Sequence, residues 1–185
     1  EVIDLLGREA GREEEILQIT SKAMRGELNF ERSLRDRVSL LEGLPISVFD
    51  KVFNTIHLTP NAQKFISILQ KNDILVGLVS GGFTPIVDRL AKSLGIAHFS
   101  ANQLEVKDGL LTGKLIGQII SPEVKKETLE KWRDKLKLPK ERTIAIGDGA
   151  NDLLMLKSAG LGIAFCAKEV LKKEIPNYVD KRDFL

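Results

Sequence analysis

The stretch Thr143-Ile144-Ala145-Ile146-Gly147-Asp148-Gly149-Ala150-Asn151-Asp152 runs from a short apolar, β-branched segment through a glycine-bearing turn into the helical pattern of residues 153–158. A strand that passes through such a turn into a helix is the basic step of a parallel α/β sheet. Ligands of that architecture collect at the carboxyl ends of the strands, where Asp148 and Asp152 stand. Magnesium takes few protein oxygens and keeps several waters, so one of these acids can bind it directly and the other directly or through water. The competing reading is a plain helix-capping turn. An EF-hand does not fit, because the acidic alternation and terminal glutamate of that loop are absent.

The alternation of helices and short strands extends to both sides. Residues 62–71 carry a helical pattern, which Thr59-Pro60 is expected to open as a capping residue followed by proline. Residues 74–79 form a buried strand, and 85–94 a helix that stops at Gly95. Around Lys107-Asp108-Gly109, residues 104–106 and 110–112 pair as a hairpin, because Asp-Gly supplies the positive φ of a tight turn. A helix over 122–136 and a strand over 162–165 complete the pattern. Before residue 57 the chain reads as helices, with Ile16, Ile19, Ala23 and then Phe30, Leu34, Val38, Leu41 at helical spacing. Asn29 is placed to cap the second of these helices, and Ser47 or a neighbour to start a third. The expected organisation is a helical cap over residues 1–56 and an α/β core over 57–185, the core being a doubly wound, Rossmann-like parallel sheet.

The chain has 185 residues, and its 28 Lys and Arg against 26 Asp and Glu give a net charge of +2 with no block of like charges. Nothing therefore points to nucleic acid or a membrane surface as a partner. Cys166 is the only cysteine, which rules out an internal disulfide and suits a reducing compartment. No run approaches the ~18 apolar residues of a membrane span, and no secretion signal is evident, so a cytoplasmic location is expected.

Two further features can carry chemistry. Ser80-Gly81-Gly82 follows the apolar run of residues 74–79 and leads into a helix, offering a hydroxyl and backbone N–H groups to a phosphate dianion. It is neither a Walker loop nor a dinucleotide fingerprint, and alone it is equally a capped turn. Lys125 and Lys126 lie in the first turns of the next helix but one, where a cation opposes the helix dipole unless it has an anionic partner. Spacing alone does not choose between them. His57 and His98 have no second metal-ligand partner in sequence and read as structural or surface residues.

Taken in order, Leu78-Val79-Ser80-Gly81-Gly82-Phe83, a helix-opening lysine and Gly147-Asp148-Gly149-Ala150-Asn151-Asp152 resemble motifs two, three and four of the haloacid dehalogenase (HAD) superfamily of phosphatases. Within it, Glu1-Val2-Ile3-Asp4, Leu28-Asn29-Phe30, Ser33-Leu34-Arg35-Asp36-Arg37-Val38, Val106-Lys107-Asp108-Gly109 and Ala164-Phe165-Cys166-Ala167-Lys168 are similar to the phosphoserine phosphatase family. The likeness spans nearly the whole chain. It implies a magnesium-dependent (Mg2+) hydrolase of small phosphomonoesters, phosphoserine above all, working as a monomer or homodimer in serine biosynthesis. By position, Ser80 and the Gly81 amide would hold phosphate oxygens, and Lys125 would balance phosphoryl charge. Asp148 would ligate the metal, Asp152 would support that metal site, and Asn151 would contact phosphate or substrate. In the cap, Glu1 and Arg37 would recognise the substrate's ammonium and carboxylate, with Met24 and Phe30 lining the pocket. A planar guanidinium binds a carboxylate through two parallel hydrogen bonds, which is why arginine suits that task. Arg35 is the competitor of Arg37 and points to a different helix face.

The family's reaction begins with an aspartate of an Asp-x-Asp-x-Thr/Ser motif attacking phosphorus to form an aspartyl-phosphate. That motif ends the first central strand of the relatives' sheet. These 185 residues contain neither, so the polypeptide as given is expected not to turn over by that route. Two alternatives stay open: a phosphatase for another small phosphomonoester, and a phosphate-binding or regulatory module without a nucleophile.

Overall fold

The computed structural model describes residues Glu1–Leu185. The fold is α/β, with parallel strands and covering helices, as expected. Nine α-helices and six strands follow one another as α1 (Val2–Glu9), α2 (Glu13–Met24), α3 (Phe30–Ser39), α4 (Val48–Thr55), α5 (Ala62–Lys71), β1 (Gly77–Phe83), α6 (Thr84–Ser93), β2 (His98–Lys107), β3 (Leu110–Ile116), α7 (Pro122–Lys135), β4 (Ile144–Gly147), α8 (Leu153–Ser158), β5 (Leu161–Phe165), α9 (Glu169–Glu174) and β6 (Tyr178–Val179). The ladders form two three-stranded sheets, β1-β2-β3 and β4-β5-β6, so β1 and β4 each keep one edge unpaired.

Two compact units divide the chain. One comprises Glu1–His57 and Ser80–Ile119, the other Leu58–Val79 and Ile120–Leu185. In the first, α1 packs on α2 and α4, α2 on α3, α3 on β3, and α6 on β2. Leu6, Ile16, Leu34, Val38, Leu41 and Phe49 supply the helical side of its core. The helices do not close this core by themselves: Phe83, Ile86, Leu104, Leu111 and Ile119 complete it. Each such buried Leu, Ile or Phe stabilises the unit by roughly 1.5–3 kcal/mol. Asn29 caps α3 as expected, its side chain accepting from the Arg32 amide at 2.8 Å.

The hairpin of β2 and β3 is antiparallel and turns at Asp108 and Gly109, both at positive φ (52° and 77°). Such a turn matches the twist of the flanking strands. The segment before α4 docks on the same hairpin, with the amides of Gly43 and Ile46 donating to the carbonyls of Leu111 and Gly109.

In the second unit, β4 pairs parallel with β5 and β5 with β6, placing Gly147 opposite Ala164. Ala145, Met155, Leu156, Ala159, Ala164, Ala167, Leu171 and Ile175 form its core, with Val79 and Leu129 against it. The carboxyl-terminal residues strap this unit: the Phe184 ring is stacked on Phe165 (4.5 Å) and on Phe65 (5.3 Å). The Asn61 amide donates to Asp183 at 2.7 Å.

Three local expectations are corrected. The strand read over 74–79 runs instead from Gly77 to Phe83, while Ile74 and Leu75 are exposed and lie before it. The two glycines let Ser80-Gly81-Gly82 stay extended up to the start of α6, so this segment is the end of the strand rather than a loop beyond it. The helix read over 62–71 spans those residues, but Asn61 and not Thr59 stands at its start, in a left-handed conformation (φ 61°) that its side-chain bond to Asp183 holds. The hairpin strands, read as three residues each, extend to ten and seven.

Candidate active site

At the end of β4 the chain turns through Gly147-Asp148-Gly149, passes a 3-10 turn over Ala150–Asp152 and enters α8. Asp152 folds back under this turn. Its Oδ2 accepts from the backbone amides of Asp148 and Gly149, both at 3.1 Å, and its Oδ1 accepts from Lys125 Nζ at 2.6 Å. The fold-back needs glycine at 147, since a Cβ there would lie 2.5 Å from Asp152 Cβ and 2.6 Å from its Cγ. No real side chain tolerates such an approach.

Lys125 is delivered by α7, which Ser121 caps by accepting from the Val124 amide, and α7 packs on the 3-10 turn and on α8. The side chains of Lys125 and Asp152 are each 7% exposed. A lysine in the first turns of a helix is opposed by the dipole and, once buried, needs a counter-charge; Asp152 is that charge. Asp152 occupies one of the three donors of the ammonium, which leaves two for an anion. Lys126 faces solvent and lies 3.9 Å from Glu130, so burial separates two lysines that spacing left equivalent.

The two carboxylates expected to serve a metal, Asp148 and Asp152, are placed differently. Both oxygens of Asp152 are engaged, so its direct work is to hold Lys125 and the turn. Asp148 is exposed and has no cationic partner. Because Lys125 and Asp152 neutralise each other, Asp148 carries the uncompensated charge of this turn. One free carboxylate fits a cation that keeps most of its waters. Asn151 is half-buried, with its Oδ1 so close to Gly149 that a Cβ on that glycine would collide with it.

The Ser80 segment, at the end of β1, belongs to the other unit. The Gly82 amide donates to Ser80 Oγ at 3.0 Å. Asn102, on β2, donates through its side-chain Nδ2 to the Gly81 carbonyl at 2.8 Å. Its own carbonyl accepts from Thr84 Oγ1 at 3.0 Å. Asn102 is 1% exposed, and the sequence reading passed over it. A lone asparagine 21 residues from its partner carries no local signal.

Among the cap residues, Arg37 is buried on α3, and its Nη1 donates to Glu1 Oε2 at 3.3 Å while its Nε donates to the Ser33 carbonyl at 3.3 Å. The pair proposed to read an amino-acid end is thus in contact. Arg35 points the other way and pairs with Glu31 in solvent. Phe30 packs against the core of its unit, whereas Met24, at the end of α2, is 70% exposed. His57 and His98 join no cluster of metal-ligating side chains, and no helix is long and apolar enough to cross a membrane.

The sequence matches the haloacid dehalogenase-like hydrolase family over residues 2–157. It is 50% identical over 183 residues to a phosphoserine phosphatase of Streptococcus thermophilus, covering 99% of this chain and 85% of that protein. With a phosphoserine phosphatase of Methanocaldococcus jannaschii it shares 47% identity, covering 99% and 87%. Among solved structures, a phospho-aspartyl intermediate analogue of phosphoserine phosphatase superposes with a TM-score of 0.91 at 47% identity over 99% of this chain and 88% of the other. A substrate-bound phosphoserine phosphatase complex gives 0.91 at 47%, covering 99% and 87%. A motif pair on two glycine-bearing strand ends and a likeness that runs the length of the chain lead to one conclusion: the chain belongs to the haloacid dehalogenase-like hydrolase family.

Proposed function

We propose that this chain serves the magnesium-dependent hydrolysis of O-phospho-L-serine to L-serine and phosphate. The observation that carries the reading is the buried Lys125–Asp152 pair beside the unpaired Asp148. The likeness to proteins named phosphoserine phosphatase, at 47–50% identity over 99% of the chain, supports the substrate class.

In this reading Asp148 holds the magnesium ion, and Asp152 supports that site by fixing the turn. Bound there, the metal lowers the repulsion between an anionic substrate and an anionic attacking group. Lys125 turns its two remaining N–H donors to the phosphoryl oxygens and balances their charge from a fixed position that needs no reorganisation during reaction. Ser80 and the Gly81 amide donate to phosphate oxygens, and Asn151 contacts phosphate or substrate. Residues 1–56 act as the cap and 57–185 as the catalytic core. Glu1 and Arg37 neutralise each other when the site is empty. A zwitterionic amino acid replaces that one contact by two, its ammonium on Glu1 and its carboxylate on the guanidinium. Met24 and Phe30 line the apolar side.

No residue of this chain is assigned the attack on phosphorus, because the 185 residues contain no Asp-x-Asp. The second reading is a phosphate-binding module whose residues bind and orient without breaking the ester. Phosphate release from phosphoserine, measured against magnesium concentration, separates the two. For a chain that turns over, Asp148→Asn abolishes magnesium-dependent release; unchanged release by that variant refutes the metal assignment. Arg37→Ala weakens use of phosphoserine and leaves a phosphomonoester without a carboxylate nearly unaffected, while Arg35→Ala changes neither. Equal losses on both esters in Arg37→Ala refute phosphoserine and leave another small phosphomonoester. For a chain that binds without release, the same variants are read by calorimetric affinity.

A further inference from the structure

We propose that Asn102 is a positioning residue that fixes Ser80 as a hydrogen-bond donor toward an anionic ligand. The proposal rests on the reading of Ser80 as a phosphate-binding residue and adds the device that orients it.

The carbonyl of Gly81 and the N–H of Gly82 belong to one planar trans peptide and point in opposite directions. Asn102 Nδ2 holds the oxygen end at 2.8 Å. The N–H end consequently faces Ser80 and donates to its Oγ at 3.0 Å. A serine hydroxyl has one proton to give and two lone pairs to receive with. The peptide N–H takes one of those lone pairs and leaves the proton of Ser80 free, so the hydroxyl meets an oxyanion as a donor.

The need for a brace follows from the two glycines. With no Cβ on either side, the 81–82 peptide can turn over at little steric cost. Turned over, it would present the Gly81 carbonyl where the N–H now stands. Ser80 would then spend its proton on that carbonyl, and a carbonyl dipole would face the anion. Asn102 opposes this from a site 1% exposed, where a buried amide without its partner is costly. Its backbone is anchored as well, because Thr84, the first residue of α6, donates through Oγ1 to its carbonyl at 3.0 Å. Aspartate would not serve: it has the shape of asparagine, but it offers no donor to the Gly81 oxygen.

The test uses the full chain with inorganic phosphate as probe, read by calorimetry on wild type, Asn102→Asp, Ser80→Ala and the double variant. Asn102→Asp weakens phosphate about tenfold, the loss of one charge-assisted donor. In the Ser80→Ala background the same substitution costs markedly less, only the repulsion of the carboxylate it adds, because the rest of its effect runs through Ser80. Equal loss in both backgrounds, or no loss in either, overturns the proposal. Asn102→Ala runs through the same cycle should the aspartate variant not fold. Amide hydrogen exchange of Gly82 in the wild type is an independent arm: protection is expected, and exchange at the rate of an open loop refutes the brace without any variant. Phosphate binding that Ser80→Ala leaves intact, with Gly82 still protected, refutes the Ser80 reading and not the brace.

Discussion

Replacing Asp152 by asparagine tests the electrostatic core of the site. The pair Lys125–Asp152 is 2.6 Å long with both side chains 7% exposed, so removal of the anion leaves a buried ammonium with no other partner. Breaking one side of such a pair costs about 3–5 kcal/mol. Asparagine adds a second fault, since an NH2 in place of Oδ2 would face the Asp148 and Gly149 amides, donor against donors. For a chain of this size each kcal/mol lowers the melting temperature by about 2–4 °C, so a fall of roughly 6–20 °C is expected. The converse substitution, Lys125→Met, is milder, because Asp152 keeps its two backbone donors and a thioether fills the volume of the lysine stem. Urea denaturation of both variants, with matching slopes required, checks the order. A loss below about 1 kcal/mol for Asp152→Asn, or a larger loss for Lys125→Met, refutes the claim that Asp152 is the counter-charge of a buried cation.

Gly147→Ala places a Cβ 2.5 Å from Asp152 Cβ; overpacking of this kind costs about 1–3 kcal/mol, and an unchanged urea midpoint would contradict the close approach. Asn29→Ala removes the 2.8 Å cap on the Arg32 amide and is expected to lower stability by about 1 kcal/mol in the same assay. The Asp183 carboxyl is held below its ordinary value of 3.8 by the Asn61 side-chain amide first, then by the Leu185 N–H and nearby Lys181. A depressed folded value means the contact is in full force above the ordinary one and is lost as pH falls beneath it. The Asn61 and Phe184 resonances therefore stay constant from pH 9 to about 5 and shift only below about 4; Asn61→Ala moves the Asp183 titration, followed by carboxyl NMR, upward. No movement refutes the strap.

What the sequence made legible is what local chemistry decides. Asp108-Gly109 forces its turn through two positive φ angles, and Asn29 caps α3 because the bond spans three residues. Asp148 and Asp152 stood out because an apolar strand, a glycine turn and a helix follow one another without interruption. The missed features depend on contacts between distant segments. Asn61 adopts its left-handed backbone beside Asp183, 122 residues away, which is why Asn61 rather than Thr59 stands before α5. Helix α9 and the two-residue β6 were not anticipated; Tyr178 and Val179 form a strand only because Ala164 and Phe165 lie beside them. Lys125 and Lys126 differ in burial, which no spacing rule encodes.

The two glycine-bearing segments that carry the proposed chemistry, a turn at 147–149 and a strand end at 80–82, differ in one respect that sets their electrostatics. Each has glycines that let backbone amides approach a ligand, and each is therefore free to collapse unless a buried polar side chain fixes it. At 147–149 the groups to be fixed are N–H donors, so the fixing residue must accept, and the aspartate chosen brings a negative charge that Lys125 has to match. At 80–82 the group to be fixed is a carbonyl, so the fixing residue must donate, and Asn102 does this without charge. A neutral brace leaves Ser80 with its donor available and adds no anion to repel a phosphate. An anionic brace would do so, except that its charge is already spent on Lys125. Exchanging the two side chains in kind, asparagine at 152 and aspartate at 102, should accordingly disable both segments, each by placing like hydrogen-bonding groups face to face.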